Sequence, residues 1–263
     1  MEIGAETSQN ILKLFLTRSQ NTPLHIHLHW QYSNQQAPKL RATVALILSH
    51  INRWFHLRIS GFGITAATWS ASIGSLSTEL HAPVLQQLEL FGSRMPEIGH
   101  WSVLHCPELR GLHCNYTPFI HLPSTRGLLN ASLRVESAAT FNFIAGKVRL
   151  ELLKIDFKCR FEKDSDTITR LPNMSSLSIT FEFDYLSDVM NFVSQLRSTS
   201  LRTLNLHIEP YGTRNGQYEE PFPSLPSITS LLLRVNTGSA YIPDHLLRIL
   251  RRFTSSYSTV ARI

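Results

Sequence analysis

Residues 83 to 90 read PVLQQLEL and residues 172 to 179 read PNMSSLSI. Both place a proline first and apolar side chains third, sixth and eighth. The phrase returns as PELRGLHC (107 to 114) and PSITSLLL (226 to 233). It recurs without its proline as WFHLRI (54 to 59), LELLKIDF (150 to 157) and SLRTLNL (200 to 206), and most faintly as LNASLRV (129 to 135). Two apolar residues flanking one variable residue make a short strand with both apolar side chains on one face. One such strand cannot bury its apolar side alone, so recurrence implies stacked copies forming a parallel sheet over a shared core.

With the sixth-position residue as marker, the series is Leu57, Leu88, Leu112, Leu133, Leu153, Leu177, Leu204 and Leu231, with gaps of 31, 24, 21, 20, 24, 27 and 27. Most of these fall in the span of about 20–29 residues characteristic of leucine-rich repeats. Between some markers the apolar period lengthens to about 3.6, as a returning helix requires. Leu40, Val44, Ile47, Leu48 and Ile51 form one stripe, and Leu186, Val189, Met190, Val193 and Leu196 another. Residues 8 to 18 read as a helix, and Leu24, Ile26, Leu28 and Trp30 alternate as a strand in which Ile26 corresponds to Leu57. Residues 207 to 225 read as a proline- and glycine-bearing loop. Leu246, Ile249, Leu250 and Phe253 predict a last helix whose polar face carries Arg248, Arg251 and Arg252. The expected organisation is a single α/β domain over 1–263: a leucine-rich-repeat solenoid, horseshoe-like, with a parallel sheet on its concave side and helices and irregular segments on its convex side. Residues 1–36 give the first helix and strand, 37–235 the degenerate repeats and 236–263 a short capping helix.

Composition fits. The 263 residues are 43% hydrophobic, enough for a substantial core. The net charge of +6 and pI near 9.4 accompany a charged fraction of only 17%, with scattered Lys and Arg, so the chain reads as a mildly basic globular protein. No window approaches the roughly 18 apolar residues of a spanning helix. The first twenty residues lack the basic start and cleavage site of a secretory signal. Three cysteines, Cys106, Cys114 and Cys159, fit a reducing compartment, so an intracellular protein, cytoplasmic or nuclear, is expected. The sequons at Asn115, Asn130 and Asn173 carry no weight in such a setting.

The helix running into TRSQNTPLHIHLHW, the segment HINRWFHLRI, the degenerate PxLxxLxL units and CPELRGLHC (106 to 114) together resemble the leucine-rich region of basidiomycete F-box proteins, over nearly the whole chain. That resemblance implies an α/β solenoid that holds a substrate protein for an SCF-type ubiquitin ligase, while an F-box grips the ligase adaptor. No leucine- and proline-rich F-box segment is found in this sequence, so the adaptor is an expected partner only if an F-box lies upstream.

Candidate chemistry is sparse. His25, His27 and His29 fall on the face opposite Leu24, Ile26 and Leu28, where two of the three could reach one zinc ion. A solvated outer face is the simpler reading, with no acidic second shell nearby. In His105, Cys106, His113 and Cys114 the strand phase sends His113 outward and Cys114 inward, so both cysteines read as core and no metal is expected. There is no GxSxG elbow, phosphate loop or dinucleotide fingerprint, and GFG at 61 to 63 reads as a turn. Asp164, Asp166, Glu219 and Glu220 read as solvated, and neither a cofactor nor catalysis is expected.

Function is expected in the outward residues as non-catalytic protein binding. One outward row reads Arg58, Glu89, His113, Arg134, Lys154, Ser178, Asn205 and Leu232. The next reads Ser60, Phe91, Asn115, Glu136, Asp156, Thr180, His207 and Arg234. Mixed charge beside an exposed Phe91 and Leu232 suits a protein surface, because aromatic and arginine anchors dominate such interfaces. Binding of nucleic acid or anionic lipid by the basic surface is the second reading, and an unrecognised enzyme the third.

Overall fold

The computed structural model describes residues 1–4, 7–29, 37–60, 80–91, 104–115, 127–136, 144, 147, 149–158, 171–196, 198–209, 227–236 and 259–262. The GFG turn, the carboxylates at 164, 166, 219 and 220 and the C-terminal helix with its three arginines lie outside them. The chain is α/β and forms two compact units, Met1–Leu128 and Leu129–Ile263.

In the first unit the elements are β1 (Glu2–Ile3), α1 (Gln9–Arg18), β2 (Leu24–His29), α2 (Ala37–Leu48), β3 (Trp54–Ser60), β4 (Leu80–His81), β5 (Gln87–Phe91), β6 (Leu104–His105) and β7 (Gly111–Cys114). Strands β1, β2, β3, β5 and β7 pair in that order, all parallel, and β4 pairs with β6 as a separate parallel ribbon. Ile26, Leu57, Leu88 and Leu112 stand on one rung, as the apolar markers require. All four are at most 3% exposed, so the rung is the spine of the core.

The proline of the repeated phrase has a local cause. In 82–85 the Leu85 amide donates to the Ala82 carbonyl at 3.2 Å, and in 106–109 the Leu109 amide donates to Cys106 at 3.1 Å. Pro83 and Pro107 therefore occupy the second position of a tight turn, where their fixed φ is already correct. The same turn recurs in 171–174, where the Met174 amide donates to Leu171 at 3.2 Å behind Pro172. The first and last residues of all three turns are completely buried, so each turn seals the core just ahead of its strand.

The Arg53-Trp54 pair closes two helices. Arg53 donates to the Leu16 carbonyl at 3.2 Å and to Ser19 Oγ at 2.6 Å, at the end of α1. The buried Trp54 indole donates to the Ile47 carbonyl at 3.2 Å, in the last turn of α2. Helix C-termini leave carbonyls without internal donors, and these two side chains supply them. The α2 stripe is as expected at Leu40, Val44, Ile47 and Leu48, all buried, while Ile51 falls in a 3-10 turn, Ile51–Arg53, and is only half-buried. Helix α1 buries Leu12 and Leu16.

The second unit holds β8 (Asn130–Val135), β9 (Leu152–Phe157), β10 (Ser176–Glu182), α3 (Leu186–Gln195), β11 (Thr203–Glu209), β12 (Ser230–Val235) and β13 (Thr259–Arg262). These strands pair in chain order, again all parallel. Leu153, Leu177, Leu204 and Leu231 share a rung, and Ile155, Ile179, Leu206 and Leu233 the next inward one. Helix α3 buries Leu186, Val189, Met190 and Val193 as the pattern predicts, adds Phe192, and ends before Leu196, which is half-buried.

Two sequence expectations are corrected here. Leu133 does not mark β8, because it stands opposite Ile155, and Ala131 stands opposite Leu153. The backbone fixes this register. The Leu129 carbonyl accepts from Glu151 and Leu152, just as Glu151 accepts from Ser175 and Ser176 in the next repeat. Residues 207 to 209, expected to open a loop, continue β11 opposite Thr180, Phe181 and Glu182, and the rest of that expected loop lies outside the described residues.

Phe181 is completely buried beside the equally buried Phe157 on the adjacent rung position. Phe181→Ala is expected to lower unfolding stability by about 3–5 kcal/mol in urea denaturation. A loss below about 1 kcal/mol would show that this rung is not a packed core.

Candidate interaction face

The outward residues of the first unit form a connected polar surface. Glu2, His27, Arg58, Glu89 and His113 share one rung. His25, His56 and Gln87 share the preceding one, and His29, Ser60 and Phe91 the following one. Between Leu24 and His25 the pairing slips by one residue, leaving Phe55 extra in β3, where its ring lies 5.1 Å from that of His25. Such a bulge resets which residues meet across the strands.

Glu89 is the hub. Its carboxylate accepts from His56 Nε2 at 3.2 Å and pairs with Arg58 Nη1 at 3.6 Å. Arg58 also lies over the Phe91 ring at 4.8 Å, and that ring meets His113 edge-on at 4.4 Å. The structure therefore brings together the four residues singled out in sequence here: Arg58, Glu89, Phe91 and His113. Phe91, expected to be exposed, is half-buried beneath the guanidinium, a cation–π arrangement. His27 Nε2 and His29 Nδ1 both approach Ser60 Oγ at 3.0 Å. Burial, then the neighbouring Arg58 charge, holds the His27 pKa below the usual histidine value. That surface favours neutral imidazole at position 27.

The zinc question of the opening histidines and of the two HC pairs meets the same geometry. Among the described residues no three His, Cys, Asp or Glu side chains gather in a way that could hold a metal ion. Cys106 and Cys114 are buried core residues, as the strand phase predicts. Burial pushes the Cys106 thiol up to about 12, far from a reactive thiolate. No described helix is long and apolar enough to cross a membrane.

In the second unit the corrected register regroups the outward rows. Ser132, Lys154, Ser178, Asn205 and Leu232 share a rung, and Arg134, Asp156, Thr180, His207 and Arg234 the next. Arg134 therefore faces Asp156, at 3.9 Å, and not Lys154, and it also pairs with Glu136 at 2.8 Å. Glu136 belongs one rung further on than expected, because the whole of β8 is displaced by two residues from its sequence alignment.

Sequence reasoning missed a cluster at the far ends of these strands. Lys158 Nζ donates to Glu182 Oε1 and Glu209 Oε2, both at 3.1 Å, and lies 3.6 Å from Asp156 Oδ1. One ammonium thus ties three neighbouring strands together. The signal was present in phase: Lys154, Asp156 and Lys158 alternate, as do Thr180 with Glu182 and His207 with Glu209. Burial pulls the Lys158 pKa down, but its hydrogen bonds to Glu182 and Glu209 and the charge of Asp156 outweigh it, and the net shift is upward.

No family model, curated protein or solved structure matches the chain.

Removing the Lys158 ammonium leaves three carboxylates facing one another. Lys158→Met is expected to cost about 1–3 kcal/mol at pH 7. In the wild type the lysine contribution is fully present below the ordinary value of 10.5 and is lost as pH rises through the higher folded value. Urea denaturation of both proteins between pH 4 and 11 reads this, and equal stability at pH 7 would remove the cluster from the account.

Proposed function

We propose that the chain is a leucine-rich-repeat-like solenoid that captures a partner protein through its outward strand residues, in the manner of the substrate-holding region of F-box proteins. The observation that carries this reading is the parallel register within each unit, which among the described strand pairs slips only at the Leu24/His25 bulge. It keeps inward leucines on common rungs, and so frees every alternate position to vary without disturbing the core. A rigid backbone bearing changeable side chains is the physical requirement for a recognition surface.

The chemistry of the outward positions agrees. In the first unit cations, a carboxylate, imidazoles and an aromatic ring interlock around Glu89, and in the second cations alternate with carboxylates. Mixed and partly compensated charge of this sort favours a protein surface over the uniformly basic tracks that neutralise phosphodiester backbones. On this reading the partner would be a ubiquitination substrate, with the ligase adaptor a partner only if an F-box lies upstream.

Affinity capture from the source cells, with variants compared side by side, tests the surface. Arg58→Glu combined with Lys154→Glu is expected to lower recovery of the captured partner at least tenfold. Lys13→Glu and Ser194→Glu, exposed on α1 and α3, are expected to leave it unchanged. The opposite pattern would move the binding site to the helical side and sink the proposal.

A further inference from the structure

A cavity of about 270 Å³ opens on the outward face of the second unit, across β9, β10, β11 and β12. Its lining includes the hydroxyls of Ser176, Ser178 and Thr180 and the Asn205 amide, beside the His207 imidazole. A cation stands on each side: Lys154 from β9 and Arg234 from β12. No described Asp or Glu lines it. The one acid on these two rungs, Asp156, pairs with Arg134 and Lys158. Lys154 and Arg234 themselves make no ion pair among the described residues. Among the described residues, therefore, no carboxylate pairs with either of the two cations that flank the cavity's hydroxyl and amide groups.

Spacing indicates the shape of what fits. Lys154 and Arg234 are three strands apart, about 14 Å at the usual strand spacing, with a one-rung offset. A single small anion at either side meets only one cation. An extended peptide lying across the strands covers about 3.3 Å per residue, so side chains four positions apart reach both. Its backbone amides and carbonyls, which need partners wherever water is displaced, would lie over the Ser, Thr and Asn side chains. Leu152 and Leu232, one on each flank, give the peptide apolar contact beside each cation.

We infer that this cavity binds an extended acidic peptide of a partner protein, with carboxylates about four residues apart held by Lys154 and Arg234. The inference rests on the outward face being the binding surface, and it names the ligand chemistry of one part of it. Charge complementarity selects the acid. The floor selects an extended main chain, because a helical segment has already satisfied its backbone groups internally.

The test is a titration of the full chain with acetyl-Glu-Gly-Ser-Gly-Glu-amide, followed by amide NMR shifts. Saturable shifts are expected in β9 to β12, weakened at least tenfold when both Glu are replaced by Gln. Lys154→Gln and Arg234→Gln are each expected to weaken binding at least threefold, with unchanged melting temperatures. An acetyl-Glu-Glu-amide control, too short to span both cations, is expected to bind at least fivefold more weakly. Equal binding of the Gln peptide, or of the peptide by a Lys154→Gln, Arg234→Gln double variant, would overturn the assignment. So would inorganic phosphate or an oligothymidylate shifting the same amides where the peptide does not. Failure here with partner capture still sensitive to Arg58→Glu alone would overturn this cavity while leaving the wider interaction surface standing. Loss of both would remove the interaction surface itself.

Discussion

A single backbone carbonyl at the start of β5, β8, β9, β10 and β11 sets everything else. Gln86, Leu129, Glu151, Ser175 and Arg202 each accept from two successive amides of the following repeat, at 2.8–3.1 Å. A carbonyl has two lone pairs, so the doubled bond satisfies it and locks the next strand against sliding. With the start locked, each inward side chain meets its counterpart of the neighbouring repeat. A slip by one residue would turn every leucine to the outside.

That lock explains why such a degenerate sequence still folds. Proline turns at 82–85, 106–109 and 171–174 seal the core where they occur, but β8 and β11 dispense with proline and keep the carbonyl pattern. Side-chain identity is constrained on the inward rungs and at the turn ends, where burial is nearly complete. On the outward rungs only neighbouring charges constrain one another, and the two faces use that freedom differently. The first unit gathers imidazoles around Glu89 and packs Phe91 beneath Arg58. The second draws Asp156 toward Lys158 and sets Lys154 and Arg234, without an ion pair among the described residues, beside a row of hydroxyl groups.

Much of this was legible in the sequence, because period-two alternation and a recurring proline are strong signals. The markers Ile26, Leu57, Leu88 and Leu112, and Leu153, Leu177, Leu204 and Leu231, lie on common rungs as aligned. LNASLRV failed for a physical reason. It offers two in-phase apolar pairs, Ala131 with Leu133 and Leu133 with Val135, and composition favours the larger pair while the backbone chose the first. The continuation of β11 through Glu209 was hidden by the Pro210 that follows it. The Lys158 cluster was legible only as alternation within single strands, since which carboxylates meet Lys158 depends on the cross-strand register. Cross-strand contacts such as Arg58 over Phe91 require the register first and become readable once it is known.

The most direct test of that register is disulfide formation between β8 and β9, in a background carrying Cys159→Ser. Paired backbones in a parallel sheet lie within the 4.4–6.8 Å Cα separation that a disulfide spans, and a displacement of two residues exceeds it. Ser132→Cys with Lys154→Cys is predicted to cross-link under mild oxidation, while Arg134→Cys with Lys154→Cys stays reduced. Preferential cross-linking of the second pair would restore Leu133 as the marker, and the carbonyl lock at Leu129 would be contradicted.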